Sequence, residues 1–164
     1  MGAGKSESGE PGRRRFAPSP RTPSAAGRVK PDAPFVVYFD GASRGNPGPA
    51  AWGVFAPPAR SARQAIGAAT NNVAEWRGFL AALDLAAEAG ASDVEVRADS
   101  ELVVKQFLGT YRVKASHLKP YLAAAREKAR LFRRLSLVHV PRSENREADA
   151  LANAALDEVE TGRG

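Results

Sequence analysis

Four acidic residues, Asp40, Glu75, Asp99 and Asp149, stand in this chain where carboxylates could do chemistry together. Asp40 follows five consecutive apolar residues, Phe35 to Phe39, and leads into the turn GASRGNPGP. Asp99 follows the alternating run Val94, Val96, Ala98, while Glu75 heads one helical apolar face and Asp149 lies at the margin of another. Each has a plainer use alone. An Asp-Gly pair starts a turn, and Asp99 or Ser100 can accept the free amides of a following helix. Asn72 and Glu75 can form a capping box, and Asp149 is a favourable charge near a helix amino terminus. Four acids at two strand ends and two helix starts are harder to explain one by one. Neighbouring carboxylates repel unless a cation lies between them. The chain has no Cys, so such a cation must be held by carboxylates, His or carbonyls, which favours a hard ion such as magnesium. Magnesium keeps several waters and completes its shell with substrate phosphate. Two such ions roughly 4 Å apart can activate a water and stabilise the leaving oxygen of a phosphodiester displacement.

The elements that must position these acids follow from the hydrophobic pattern. Phe35 to Phe39 shows no polar alternation and predicts a central strand covered on both faces, with Asp40 at its carboxyl end. The turn then reverses the chain into a strand over 50–56, and 61–69 offers a third, short strand around Ala65 and Ile66. From 73 to 89 the rows Trp76, Leu80, Leu83, Ala87 and Glu75, Phe79, Ala82, Ala86 lie side by side at helical spacing. A strand over 93–98, a helix over 101–108 and a loop over 109–116 follow. A helix over 118–132 tolerates Pro120 in its first turn. A last strand over 135–140 leads through the loop 141–145 to a helix over 147–159 with the stripe Ala148, Leu151, Ala152, Ala155 and Val159. Three meandering strands followed by helix-linked ones imply a mixed α/β sheet. A right-handed crossover lays the fourth strand parallel beside the first and brings Asp40 and Asp99 together.

At 164 residues and 43% hydrophobic content the chain can bury one domain core. It has no apolar run near the roughly 20 residues of a membrane span and no apolar secretory leader, so we expect a cytoplasmic protein. The net charge of +6 suggests a polyanionic partner. Residues 1–34 supply +4 of it, from seven Lys/Arg and three Asp/Glu, which leaves +2 for residues 35–164. That leader is Pro, Gly, Ser and Arg with little to bury, and we expect a disordered basic tail whose Arg13, Arg14 and Arg15 add phosphate contacts. We expect a single folded unit over 35–158 and a flexible C-terminus over 159–164. A monomer is the default, because no leftover apolar stripe calls for a partner.

The segments DGASRGNPGPA from Asp40, TNNVAEWRG from Thr70, ADSELVV from Ala98 and ENREADALAN from Glu144 resemble, in order and spacing, type 1 ribonuclease H. The resemblance covers residues 35–158. It implies the ribonuclease H fold, an α/β five-stranded mixed sheet of three antiparallel meander strands and two parallel strands, with helices on both faces. It also implies magnesium-dependent cleavage of the RNA strand of an RNA–DNA hybrid, leaving 5′-phosphate and 3′-hydroxyl ends, with manganese as a substitute ion. By this resemblance Asp40 bridges two ions, Glu75 and Asp99 complete one site and Asp149 the other. Gly41, Asn46, Thr70, Asn71, Asn72 and Ser100 become substrate contacts. Asn46 and Asn72 suit RNA 2′-hydroxyls and base edges in the minor groove, and Thr70 with nearby helix amides suits a DNA-strand phosphate.

The chain departs from the best-known bacterial members in two places. Their catalytic-loop His would fall on His139, but that residue lies within the apolar strand LVHV, so the short loop PRSEN makes Arg142 the candidate beside the scissile phosphate. The basic handle before the long helix is absent, since only GTYRVKASH separates Leu108 from Leu118. Arg112, Lys114, Lys119 and the tail then become the candidates for hybrid affinity. Two other readings stay open, a related metal nuclease acting on another duplex and a hybrid-binding module without catalysis. Asn46 and Asn72 argue against a DNA-only substrate. The four intact acids argue against a silent binder, because unneutralised carboxylates weaken phosphate binding.

Overall fold

The computed structural model describes residues 33–163. The basic tail expected over 1–34 lies outside them but for its last two residues. Five strands form one sheet in the order β3-β2-β1-β4-β5. They are β1 (Phe35–Ser43), β2 (Gly48–Ala56), β3 (Arg60–Ala69), β4 (Asp93–Ala98) and β5 (Arg134–His139). β1, β2 and β3 form the antiparallel meander, and β4 lies parallel to both β1 and β5. The four α-helices are α1 (Asn71–Glu88), α2 (Glu101–Leu108), α3 (Lys119–Ala129) and α4 (Arg146–Glu158). The mixed sheet expected from the pattern is therefore the one observed.

Period-2 alternation decides which helix each strand residue meets. Val37 and Phe39 of β1, with Val54 and Ala56 of β2, join the main core beneath α1, whose Trp76, Phe79, Ala82, Leu83 and Ala86 are buried there. Phe79 stacks on Phe39 at 5.5 Å between ring centres and meets Phe107 of α2 edge-on at 5.0 Å. Burying each such ring stabilises the fold by about 1.5–3 kcal/mol, and truncation of Phe79 would remove contacts to both Phe39 and Phe107. The alternate residues face the other way. Ala42, Ala51 and Ala65 form a small cluster with Ala155 and Leu156 of α4. The stripe of α4 is mostly Ala, which lets that helix lie close to the sheet.

The structure corrects several expectations. β1 does not end at Asp40 but runs on to Ser43, because β2 keeps pairing with it as far as Ser43 opposite Ala50. What ends beside Asp40 is the parallel ladder, whose last pair is Phe39 and Ala98. The cap of α1 is Thr70, whose side chain accepts the Val73 N–H, so Asn72 and Glu75 do not form a capping box. β3 is a full ten-residue strand with a bulge opposite Ala50 and Ala51. α3 is shorter than 118–132, since Ser116–Leu118 form a separate 3-10 turn and the helix stops at Ala129. Beyond α4, Val159–Arg163 continue as a wide π-type turn, and Val159 is exposed rather than part of the stripe.

Candidate active site

Asp40 is an ionisable side chain in a place made for apolar ones. It faces α4 from the centre of the sheet and is only 5% exposed. Opposite it on β2 is Gly53, where a Cβ would come within 2.6 Å of the Ala148 carbonyl oxygen and 2.7 Å of the Ala152 nitrogen. The missing side chain lets the α4 backbone settle on the sheet, and Asp149, one residue past Ala148, reaches Asp40 with a hydrogen bond. On the opposite face Gly41 does the same for α1. A Cβ there would lie 2.3 Å from the Ala74 carbonyl carbon and 2.4 Å from the Glu75 nitrogen. Two glycines, one per face, thus bring the helices that carry Glu75 and Asp149 against β1. Gly41, which the resemblance puts among substrate contacts, is here a packing requirement.

The other two acids are held by side-chain hydrogen bonds. Ser100, the cap of α2, accepts the Val103 N–H at 3.3 Å and donates its hydroxyl to Glu75 Oε1 at 2.7 Å. It is buried, so the hydroxyl is spent within the protein. Asn71, one helical turn before Glu75, bonds the same carboxylate. Asp99 follows the end of β4, with Arg142 Nε 3.8 Å from its Oδ2. Arg142 belongs to a 3-10 turn, Arg142–Glu144, and its side chain is largely exposed. His139 ends β5 with an exposed side chain, paired in register with Ala98.

The electrostatics follow from this crowding. Burial, the hydrogen bond to Asp149 and the charges of Asp99, Asp149 and Glu75 push the Asp40 carboxyl up to about 9. Burial also raises Glu75, with the Asp99 charge adding to it; the bonds from Ser100 and Asn71 and the charge of Arg142 pull the other way. A buried carboxyl that keeps its proton at neutral pH among three further acids is a group that a cation would relieve. An all-oxygen donor set suits magnesium or manganese. Among the described residues no three acidic or His side chains close into a preformed metal cage.

Of the residues expected to touch nucleic acid, Asn46, Thr70, Asn71 and Asn72 gather at the start of α1. Asn46 in the β1–β2 turn accepts the Asn71 N–H on its Oδ1 at 3.0 Å, which ties that turn to the helix. Thr70 accepts the Val73 N–H and keeps its own O–H as a donor. Sequence reasoning missed two Asn residues that bond the acids and an Arg that bonds one of those Asn. Asn145 is wholly buried, and its Nδ2 donates to the Phe39 carbonyl at 2.8 Å and to Asp99 Oδ1 at 3.4 Å. Asn153 donates to the Asp149 carbonyl at 3.0 Å and accepts from Arg44 Nη2 at 3.0 Å. Arg44 also pairs with Asp157 and Glu160, pinning the hairpin turn to the end of α4. The available signal was an Asn one turn before and one turn after Asp149 within ENREADALAN.

Comparison with known proteins shows which sequences and structures the chain is similar to. Residues 39–155 match a family model described as reverse transcriptase-like. The chain is 45% identical over 142 residues to ribonuclease HI of Halobacterium salinarum, covering 84% of this chain and 68% of that protein. The crystal structure of the RNase H1 from that archaeon superimposes with a TM-score of 0.73, covering 76% of this chain and 98% of the other at 46% identity. LC11-RNase H1, solved in complex with an RNA/DNA hybrid, gives 0.72 at 38% identity, with 76% and 98% covered. The bifunctional protein Rv2228c of Mycobacterium tuberculosis is 46% identical over 128 residues, 74% of this chain, and the chain spans only 35% of that relative's length. The sheet order, the matched residues and the identity to an archaeal ribonuclease HI together make this chain a member of the type 1 ribonuclease H family.

Proposed function

We propose that this protein is an endonuclease that hydrolyses the RNA strand of RNA–DNA hybrids with two magnesium ions, leaving 5′-phosphate and 3′-hydroxyl ends. The observation that carries the reading is the clustering itself: Asp40, buried in the sheet, is hydrogen-bonded to Asp149 and within reach of the charges of Asp99 and Glu75. Asp40, Glu75 and Asp99 would hold one ion, and Asp40 and Asp149 the other. When bound, magnesium supplies an activated water and a counter-charge for the leaving oxygen, and manganese can replace it.

The chain's own residues supply the rest. Gly41 and Gly53 let the α1 and α4 backbones lie directly against the sheet, which sets Glu75 and Asp149 beside Asp40, the carboxylate that both ions would share. Ser100 and Asn71 orient Glu75 so that one carboxylate oxygen is already hydrogen-bonded. Arg142, exposed beside Asp99, would be a donor to the scissile phosphate. Asn46 and Asn72 read 2′-hydroxyls in the minor groove, and the Thr70 hydroxyl takes a phosphate of the DNA strand. The hybrid-bound structure of LC11-RNase H1, similar over nearly its whole length, supports this substrate class.

The test is cleavage of four matched duplexes, RNA–DNA, RNA–RNA, DNA–DNA and DNA with a single ribonucleotide, with and without magnesium. Magnesium-dependent cutting of the RNA strand of the hybrid, with 5′-phosphate ends, is expected. Cutting of the DNA duplex alone would overturn the substrate assignment, and tight hybrid binding without any cleavage would overturn the enzymatic one.

A further inference from the structure

Asn is among the residues best suited to cap a helix, because its side chain can accept the free amides of the first turn. Asn145 sits at that position of α4 and makes no such bond. Its side chain turns inward instead. Nδ2 donates to the carbonyl of Phe39, the residue before Asp40 and the last of the parallel ladder, at 2.8 Å, and lies 3.4 Å from Asp99 Oδ1. The Asn145 backbone carbonyl accepts the Asp149 N–H at 3.1 Å, and its own N–H bonds the Arg142 carbonyl at 2.9 Å. One wholly buried residue therefore touches the backbone entering Asp40, the carboxylate of Asp99, the helix turn that carries Asp149 and the turn that carries Arg142.

The orientation of the amide is set by chemistry. Phe39 offers only an acceptor, so the NH₂ must face it. Oδ1 is then left buried with no hydrogen-bond partner among the described residues. Buried amides kept for stability are ordinarily satisfied at both ends. This one is half satisfied, and the satisfied half is the one that meets the acids.

We infer that Asn145 is a positioning residue for the acid cluster: its amide fixes the separation of Asp40 and Asp99, and its backbone fixes Asp149 against both. The inference rests on the proposed function, since it concerns the geometry those acids need in order to share ions. Groups that orient metal ligands from behind typically change metal affinity or activity by about 10–100-fold when removed.

The test uses the full chain with Asn145→Ala and, as a smaller lesion, Asn145→Ser, each checked for folding by circular dichroism and thermal unfolding without metal. Magnesium binding is measured by calorimetry in the absence of hybrid, and kcat and KM on the hybrid separately. The expected result is a magnesium affinity lower by about 10–100-fold and a similar fall in kcat, with KM changed less than about twofold. Folded variants with wild-type magnesium affinity and kcat, and only a lower unfolding midpoint, would overturn the inference. A readout on the wild type covers the case in which neither variant folds. The side-chain amide resonance of Asn145 is expected to shift during a magnesium titration together with the Asp99 signal, and an unmoved resonance overturns the inference. Failure of the wild type itself to cut the hybrid would strike the proposed function and not this one.

Discussion

Asp40 is where sequence and electrostatics meet at the residue scale. In the folded chain without metal its carboxyl keeps a proton up to about 9, against an ordinary value of 3.8. The folded state therefore binds more protons than the unfolded state between those values, and stability must fall as pH rises through that window. We predict that the unfolding temperature of the metal-free protein declines from about pH 5 to about pH 8, and that magnesium removes most of the decline. The groups facing Asp40 are Asp149, Asp99 and Glu75, with Arg142 as the nearby cation on Asp99 and Glu75. Arg142→Ala should lower kcat on the hybrid by about tenfold or more while leaving the unfolding temperature nearly unchanged, because the Arg142 side chain is exposed and 3.8 Å from Asp99. Full turnover in that variant would remove Arg142 from the mechanism. The four acids were legible as candidates because three follow or head a strongly patterned apolar run and Asp149 lies at the margin of another. Asn145 was not, because a buried Asn beside a helix start looks like any other cap until its side chain is seen to turn away.

At the scale of elements, the site depends on two helices lying closer to the sheet than side chains normally allow. Gly53→Ala would set a methyl group against the Ala148 carbonyl and the Ala152 nitrogen, and Gly41→Ala would meet the α1 backbone at Ala74 and Glu75. Backbone cannot swing aside as a side chain can, so each change should destabilise the fold by about 1–3 kcal/mol or more. Activity should fall further than stability accounts for. Gly53→Ala moves Asp149 from Asp40, so its magnesium affinity is predicted to drop even at temperatures where the variant is fully folded; unchanged affinity would show that α4 can shift without disturbing the acids. These glycines were invisible as packing devices in the sequence, where Gly41 looks like part of a turn and Gly53 falls inside the strand expected over 50–56. The helix and strand periods were legible, whereas the ends were less so. β1 outran its expected end because pairing with β2 continues after β4 has left, a partner effect that no local pattern carries.

For the whole molecule, the order of elements and the parallel placement of β4 beside β1 followed from the chain's patterning and the handedness of crossovers, and the observed sheet has that order. The charge distribution adds a prediction about binding. Residues 1–34 carry +4 of the net +6, so deleting them should raise KM for the hybrid and flatten its salt dependence, with kcat unchanged. The slope should flatten by about 0.9 log units for each phosphate that the tail no longer neutralises. An unchanged KM and salt slope would place hybrid affinity wholly on the folded part. Whether the acid cluster is the site of hydrolysis is decided by single-turnover cleavage of an RNA–DNA hybrid by the wild type and by Asp40→Asn, in magnesium, alongside unfolding of both proteins without metal. The variant is expected to be folded and at least as stable as the wild type above neutral pH, since a buried, crowded carboxyl has been replaced by a neutral amide. It is also expected to make no detectable cut. A variant that is folded and cleaves at the wild-type rate would contradict the assignment of the acid cluster as the site of hydrolysis.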